Sequence, residues 1–350
     1  MSRIVAFGEI MGRLAAPGSL RFAQAMPGAL ELTFAGAEVN AAVAIAQLGG
    51  DVSFVTALPD HAIAAACVAQ LRGLGVSTSE ILRTSRGRLG LYFLETGANQ
   101  RPGQVIYDRE HSALAVTPAE AYDWDRIFAG AEWLLISGIT PAVSRNAAEV
   151  TRVALRAATA HGLRIAFDMN FRAKLWQWEP PLSARELASR TLRDLLPEVD
   201  LLIGGREDFE SVLDAEPGKM PGEDLARALV TRFPRIVHVG MTLREGISAH
   251  HNNWGGMLYD ARSGGVFYAP GVSERYAITQ IVDRLGAGDA FTGALLYSLI
   301  TPELSSPEAA LRFATAASCL AHSIQGDYNL VSRADVEALL SGDDSGRVRR

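Results

Sequence analysis

The sequence Gly-Ala-Gly-Asp-Ala-Phe at Gly286–Phe291 decides the fold of this 350-residue chain. It links a short apolar run at Ile281–Asp283, predicted to end a strand, to an apolar helix predicted from about Ala290 to Ile300. A glycine-rich turn before a helix exposes backbone N–H groups at the positive end of the helix dipole. Glycine also lets an anion approach the backbone closely. The stretch therefore predicts a phosphate site between a strand and a helix.

Upstream of this turn, short apolar runs alternate with helical patterns. The predicted strands are Ile4–Phe7, Val52–Thr56, Trp133–Ile136, Ile165–Asp168, Leu201–Ile203 and Ile236–Val239, and the predicted helices are Ala37–Leu48, Ala62–Leu74, Arg145–His161, Ala184–Leu195 and Asp224–Phe233. This alternation implies βαβ crossovers, and hence an α/β fold with a doubly wound, mainly parallel sheet and helices on both faces. Ligands of such sheets bind at the carboxyl ends of the strands.

Two segments, at about residues 13–34 and 89–109, break the alternation. The second contains two strand-like pieces, Leu89–Glu95 and Val105–Tyr107, around a turn-rich middle. We expect one α/β domain over residues 1–340 that carries a small β appendage made from both segments, and a polar tail at residues 341–350. The appendage is either a lid over the active site or a passive surface hairpin.

Composition excludes several classes of protein. A net charge of −6 disfavours a nucleic-acid binder. The only two cysteines, Cys67 and Cys319, are far apart, which argues against a disulfide framework. No apolar stretch approaches the ~18–20 residues of a membrane helix, and the apolar run near the N-terminus is too short for a signal peptide. The sequence therefore predicts a cytoplasmic protein without a nucleic-acid or membrane partner.

Asp289 lies beside the predicted phosphate site, where a carboxylate could accept the proton of an attacking hydroxyl. An aspartate that caps its own helix is common, and the motif taken alone favours that role. Other catalytic motifs fail: Phe291 replaces the third glycine of the dinucleotide-binding pattern, and Met220 follows the only Gly-Lys pair that could belong to a Walker A loop. His250 and His251 lack metal-ligand spacing and are interpreted as loop residues.

Two motifs together resemble a known family. Gly286–Phe291 resembles the C-terminal signature of ribokinase-type (PfkB-type) carbohydrate kinases, and Ala35–Ala42, followed by Leu48–Gly50, resembles the N-terminal signature. Further segments resemble the 2-keto-3-deoxygluconate kinase branch: Gly90–Phe93, Val105–Arg109 with Ser112 and Ala113, Ser137–Pro141, Asp168–Arg172 with Leu175 and Trp176, and Gly326–Asn329. The resemblance covers nearly the whole chain.

The resemblance implies a ribokinase-like fold with a β lid and an ATP- and Mg²⁺-dependent phosphorylation of 2-keto-3-deoxygluconate to its 6-phosphate. It makes Asp289 the catalytic base. The substrate-binding candidates are Gly36, Asn40, Tyr92, Tyr107, Arg109, Asn170, Arg172 and Asp289. The nucleotide-binding candidates are Thr242, Leu243, Arg244, Gly286, Ala287 and Gly288, and Asp208 is a metal candidate acting through water.

Two positions depart from the family pattern. Ala35 stands where the first glycine of the N-terminal pair is usual, and Gly205 stands where an asparagine is usual, although Asp208 keeps the acid three residues later. The second departure removes an amide that would help to order phosphate and magnesium-bound water.

Alternative interpretations stay open at this point. Arg109 and Arg172 suit a sugar carboxylate, since arginine offers paired N–H donors, but a surface or ion-pair role would explain them too. Hairpin packing would equally explain Tyr92 and Tyr107. A kinase of the same fold could act on fructose, another ketose or a nucleoside, and a sugar-binding regulatory protein could keep the pocket without turnover. An apolar-edged lid also predicts a homo-oligomer.

Overall fold

The computed structural model describes residues 2–342. The strands are β1 (Arg3–Phe7), β2 (Met11–Ala15), β3 (Glu31–Ala35), β4 (Asp51–Pro59), β5 (Ile81–Thr84), β6 (Gly90–Glu95), β7 (Gln104–Asp108), β8 (Trp133–Ser137), β9 (Arg164–Asp168), β10 (Leu201–Gly204), β11 (His238–Ser248), β12 (His251–Asp260), β13 (Gly265–Ala269) and β14 (Tyr276–Ile278). The α-helices are α1 (Phe22–Ala25), α2 (Ala37–Gln47), α3 (Ala62–Gly73), α4 (Ala113–Val116), α5 (Trp124–Phe128), α6 (Ile139–Val143), α7 (Arg145–Ala160), α8 (Ala184–Leu195), α9 (Arg206–Leu213), α10 (Gly222–Arg232), α11 (Ala287–Ile300), α12 (Pro307–Ala321) and α13 (Arg333–Leu340).

The main sheet has the strand order β13-β12-β11-β10-β9-β8-β1-β4-β5, with β14 beside β12. Every pair from β11 to β5 along this order is parallel, as the alternation of strands and helices predicts. The pairs among β11, β12, β13 and β14 are antiparallel. These last three strands were not predicted, because glycine and asparagine residues in His251–Asp260 obscure the strand pattern.

Helices cover both faces of this sheet, and β1 shows the two resulting cores. Val5 and Phe7 pack with α7 in one hydrophobic cluster, whereas Ile4 and Ala6 pack with α2 and α11 in the other. Successive strand side chains point to opposite faces, so a strand that is apolar throughout indicates a sheet buried on both sides. The predicted fold class, a doubly wound α/β sheet with a small second sheet, is confirmed.

A second sheet, with the strand order β3-β2-β6-β7, is built from the two segments that break the alternation. Pairing across it places Thr33, Arg13, Tyr92 and Tyr107 in one row, and Leu32, Leu14, Phe93 and Ile106 in the adjacent row. Adjacent rows face opposite sides of a sheet. One side of the second sheet is therefore polar and aromatic, and the other is aliphatic and aromatic.

Two local predictions need correction. Ile281–Asp283 forms no strand: it lies in an irregular segment after β14, and α11 begins at Ala287 rather than at about Ala290. Ser341 and Gly342 lie in a turn, while the rest of the predicted tail, residues 343–350, lies outside the described residues. Within residues 2–342, no helix combines the length and the apolar character needed to cross a membrane.

Candidate active site

Asp289 occupies the first turn of α11 and is buried between two side-chain amides. Asn40 Nδ2 donates to its Oδ2 at 2.7 Å, and Asn170 Nδ2 donates to its Oδ1 at 3.2 Å. The Asn40 amide is itself oriented, because its Oδ1 accepts the Gly36 backbone N–H at 3.1 Å. Both carboxylate oxygens thus bond to groups from other elements, which argues for a site role rather than a cap on α11.

Burial raises the pKa of Asp289 to about 6, against the opposing effects of the Asn40 amide and the Arg172 guanidinium. A carboxylate with a pKa near 6 is ionised at neutral pH but is a better proton acceptor than a solvated aspartate. The geometry and the pKa together suit a general base.

The glycine turn forms the N-terminus of α11, as the motif predicts. Gly286 has a φ of 80°, and a Cβ there would lie 2.0 Å from the Asp327 carbonyl oxygen, so both the backbone conformation and the packing require glycine. A Cβ on Gly288 would meet no atom within 4 Å. Gly288 therefore borders open space at the positive end of a 14-residue helix.

Two cavities meet at Asp289. The smaller, of about 90 Å³, lies under the second sheet, and the larger, of about 300 Å³, lies beside the carboxyl ends of β9 and β10 and the middle of β11. Both are lined by Asn170, Arg172, Leu285, Gly286 and Asp289. A reactant in each cavity would approach the other at the same carboxylate.

The smaller cavity brings together all the residues predicted to bind substrate. It is lined by Gly36, Asn40, Tyr92, Tyr107, Arg109, Asn170, Arg172 and Asp289, together with Met11, Ala37, Val105, Ile139, Leu285, Gly286 and Asp327. Tyr92 and Tyr107 are paired across β6 and β7, with ring centroids 6.5 Å apart. The second sheet therefore forms one wall of this cavity.

Arg109 is buried and forms an ion pair with Glu9, to which its Nε donates at 2.7 Å. Its Nη2 donates to the same Glu9 oxygen, and its Nη1 has no hydrogen-bond partner within residues 2–342. The ion-pair interpretation and the substrate interpretation thus apply to different atoms of one side chain. Only Nη1 is left for a ligand, and leaving such a buried donor unpaired costs free energy.

Arg172 is more exposed than Arg109 and forms no ion pair within residues 2–342. Its side chain is exposed, and its one hydrogen bond in the described part of the chain runs from Nη1 to the neighbouring Phe171 carbonyl at 2.9 Å. It borders both cavities, and its charge lowers the pKa values of Asp168, Asp208 and Asp289, although burial raises them more. Arg172 can therefore offer paired donors to an anion in either cavity.

The larger cavity contains most of the predicted nucleotide-binding residues. Thr242, Arg244, Gly286, Ala287 and Gly288 line it, together with the unpredicted Arg284. Leu243 does not line it: strand alternation turns this side chain to the other face of β11, where it packs against the hydrophobic core. A further cavity of about 580 Å³ shares Arg244 and Arg284 and extends under residues 94–103.

Arg244 and Arg284 bring two positive charges to the larger cavity, which Asp168, Asp208 and Asp289 also line. Burial lowers the pKa of each, the charge of Arg244 also lowers that of Arg284, and neither forms an ion pair with a carboxylate in the described part of the chain. Two neighbouring cations outside any ion pair in residues 2–342 fit a polyphosphate at the N-terminus of α11.

Asp208 borders the same cavity, and both of its carboxylate oxygens accept hydrogen bonds from the backbone. Its Oδ2 accepts the Gly205 N–H at 2.7 Å, and its Oδ1 accepts the Phe171 N–H at 3.2 Å. Asp168, which sequence reasoning gave no role, lies nearby and accepts from the Thr292 hydroxyl at 3.0 Å. No cluster of three or more acidic, histidine or cysteine side chains in residues 2–342 could hold a metal by itself. The donor set fits a magnesium ion carried by phosphate and water.

Sequence reasoning missed three polar residues around the smaller cavity. Glu9 pairs with Arg109, Arg13 pairs with two aspartates, and Asp327 accepts from the Tyr92 hydroxyl at 2.8 Å. Their partners lie 100 to 314 positions away in the chain. Only the Gly326–Asn329 segment gave a signal, through its resemblance to the kinase branch.

Similarity to known proteins identifies the family of the chain. The family model described as pfkB family carbohydrate kinase matches residues 1–243 and 255–333. The 2-dehydro-3-deoxygalactonokinase of Haloferax volcanii is 35% identical over 345 residues, which cover 99% of this chain and 98% of that protein.

Two crystal structures are also similar. That of 2-dehydro-3-deoxygluconokinase from Thermotoga maritima has a TM-score of 0.88 and 38% identity, covering 98% of this chain and 100% of the other. That of a PfkB family carbohydrate kinase from Listeria grayi has a TM-score of 0.87 and 34% identity, covering 97% and 99%. Family model and relatives extend over most of the chain, and it therefore belongs to the pfkB family of carbohydrate kinases.

Proposed function

We propose that this sugar kinase transfers the γ-phosphoryl group of MgATP to the C6 hydroxyl of 2-keto-3-deoxygluconate. The observation that carries the proposal is the junction of two cavities at Asp289. The smaller cavity presents amides, tyrosines and arginines to a sugar acid, and the larger presents a helix N-terminus and two arginines to a polyphosphate.

In this mechanism the sugar hydroxyl lies against the Asp289 carboxylate, which Asn40 and Asn170 hold in place. As the hydroxyl oxygen forms its bond to the γ-phosphorus, its proton passes to Asp289 and the bond from the γ-phosphorus to the bridging oxygen of ADP breaks. Backbone N–H groups of the Gly286–Gly288 turn are placed to stabilise the charge on the phosphoryl oxygens.

Magnesium, when bound, supplies charge neutralisation on the phosphates. Asp208 borders the larger cavity and would hold the water ligands of the ion: two backbone N–H groups orient its carboxylate, and each oxygen keeps a lone pair that can accept from water. Asp168 also lines the larger cavity, and burial raises its pKa well above the ordinary value, with the Asp289 charge as the next cause.

Specificity for an acid sugar rests on two donors of different kinds. Arg172 offers an exposed guanidinium at the cavity edge, of which only Nη1 forms a hydrogen bond within the described residues, and Arg109 offers a single buried Nη1 while Glu9 balances its charge. A neutral ketose would leave the Arg172 charge unused and the Arg109 donor unpaired, which disfavours fructose or ribose.

A coupled ADP-release assay over a panel of sugars tests the proposal. The panel contains 2-keto-3-deoxygluconate, 2-keto-3-deoxygalactonate, fructose, ribose and a nucleoside, because the relatives differ in the stereochemistry of the sugar acid that they are named for. We expect sugar-dependent ADP release with an acid sugar. ATP binding without ADP release on any sugar would favour a regulatory protein instead.

We also propose that the chain associates with a second copy through the outer face of the second sheet. Leu32 and Ile106 in the aliphatic row are 49% and 43% exposed, although they flank Leu14 and Phe93. Leu14 and Phe93 in the middle of the row are half-buried, and a row of apolar side chains with exposed ends is typical of an association surface. Sedimentation of the wild type and of a Leu32→Glu/Ile106→Glu variant tests this: we expect a dimer or larger assembly that the variant breaks, and a monomeric wild type would contradict it.

A further inference from the structure

A buried ion network joins the second sheet to the glycine turn. Arg13 lies at the centre of β2 and is only 4% exposed. Its Nη2 donates to Asp283 Oδ2 at 2.5 Å, and its Nη1 donates to Asp327 Oδ1. Its partners are 270 and 314 positions away in the chain. One guanidinium therefore connects a strand of the second sheet to two segments near the proposed phosphate site.

Asp283 holds the segment that leads into the glycine turn. Its Oδ1 accepts the backbone N–H groups of Arg284 at 2.8 Å and Leu285 at 3.2 Å. Its Oδ2, which binds Arg13, also accepts the Gly326 N–H at 3.2 Å. The carboxylate thus fixes the two residues that immediately precede Gly286.

Asp327 supports the turn from the other side. Its carbonyl oxygen lies where a Cβ of Gly286 would be, and its side chain accepts from Arg13 and from the Tyr92 hydroxyl. Tyr92 is the direct neighbour of Arg13 across β2 and β6. Movement of the second sheet therefore displaces both aspartates unless the Arg13 contacts break.

We infer that Arg13 is a positioning residue, which sets the glycine turn in its phosphoryl-transfer geometry only when the second sheet is seated over the sugar cavity. Arg13 lines neither of the two cavities that meet at Asp289, so it acts through Asp283 and Asp327. The inference rests on the proposed phosphoryl transfer for its effect on rate. The physical link between the sheet and the turn is independent of the reaction.

Charge explains why the link is strong. Three charged groups are buried together, and removing one partner of such a group leaves a costly unpaired charge. Lysine keeps the positive charge but presents a single ammonium rather than a planar fork, so it does not reproduce donation to two carboxylates in fixed directions. Arg13→Lys should therefore weaken the contact between the second sheet and the two aspartates while it keeps a positive charge beside them.

Hydrogen exchange on the full-length protein, without substrate, tests the link. In Arg13→Lys, we expect faster exchange in the peptide that contains Arg284 and Leu285, because Asp283 is less firmly held, and unchanged exchange in α7. Arg88→Lys is the matched control, since Arg88 pairs with Asp108 on the exposed surface of the same appendage. Equal exchange of the Arg284 peptide in wild type and Arg13→Lys would overturn the inference, whatever reaction the enzyme catalyses.

Steady-state kinetics test the effect on rate, with whichever sugar the wild type phosphorylates. We expect Arg13→Lys to lower kcat about 10- to 100-fold with the sugar KM within about threefold, as for a misplaced catalytic group. Asp283→Asn breaks the same link and should do likewise, and the double variant should lose little more than the worse single variant. Wild-type kcat in both single variants, or losses that multiply in the double variant, would overturn a positioning role.

Discussion

The side-chain amide of Asn40 donates to Asp289 Oδ2 at 2.7 Å, while its carbonyl oxygen accepts the Gly36 N–H at 3.1 Å. The second bond fixes which end of the amide faces the carboxylate. Asp289 is thereby kept as an acceptor that points at the junction of two cavities. The N-terminal and C-terminal sequence motifs meet in this one contact.

Asp289→Asn should lower kcat at least ~100-fold, the low end for a lost general base, with little change in the sugar KM. The substitution removes the proton acceptor and keeps the size of the side chain. Steady-state kinetics give the result, and circular dichroism checks that the variant is folded. A variant with a kcat near that of the wild type would show that Asp289 serves only the helix.

The dependence of activity on pH should reflect the titration of Asp289. Its pKa is raised to about 6 by burial, and the active form is the carboxylate. Activity should therefore be full above pH ~7 and fall about tenfold per unit as the pH drops below ~6. Replacing Asn40 by alanine removes a bond that favours the charged form, so the acidic limb should move to higher pH. A limb that stays in place in Asn40→Ala would contradict the assignment.

The two glycines of the turn should respond differently to substitution. Gly288→Val places its side chain in open space and should weaken ATP binding while the protein stays folded. Gly286→Val forces a strained φ and a clash with the Asp327 carbonyl, and should destabilise the fold. Calorimetric titration with ATP and thermal melting separate the two effects. Equal ATP affinity in wild type and Gly288→Val would remove the phosphate-site argument.

Gly205→Asn should be neutral or should improve the use of MgATP. The position has a φ of −89°, which any residue adopts, and a Cβ would come 3.3 Å from Asp208 Oδ2, a side-chain atom that can adjust slightly. The added amide would face the larger cavity and could order water on the phosphates. A clear loss of activity would mean that this chain has rebuilt the magnesium region around glycine.

The sequence predicts what local patterns determine and misses what distant contacts determine. Periodicity located α2 and α7 to within a residue at each end, and the glycine turn located the start of α11 to within three residues. The role of Arg13 could not be predicted, because its partners lie 270 and 314 positions away and no local pattern links them. The position of Leu243 was missed for a simpler reason: a motif was carried over as a block, although strand alternation sends every second side chain away from the ligand.

Substrate preference tests the central claim most directly. A hydrogen bond to a charged group contributes roughly 1.5–3 kcal/mol, or about 10- to 100-fold in kcat/KM. The wild type should therefore prefer 2-keto-3-deoxygluconate to fructose and ribose by about 100-fold or more, since both arginines contribute. Arg172→Met should reduce this preference by lowering kcat/KM for the acid sugar. It is a better probe than Arg109→Met, which would leave Glu9 buried without its ion-pair partner. The decisive measurement is kcat/KM for the acid sugar and for fructose in the wild type: a ratio of about 100 or more supports the account, and equal values would contradict the acid-sugar assignment.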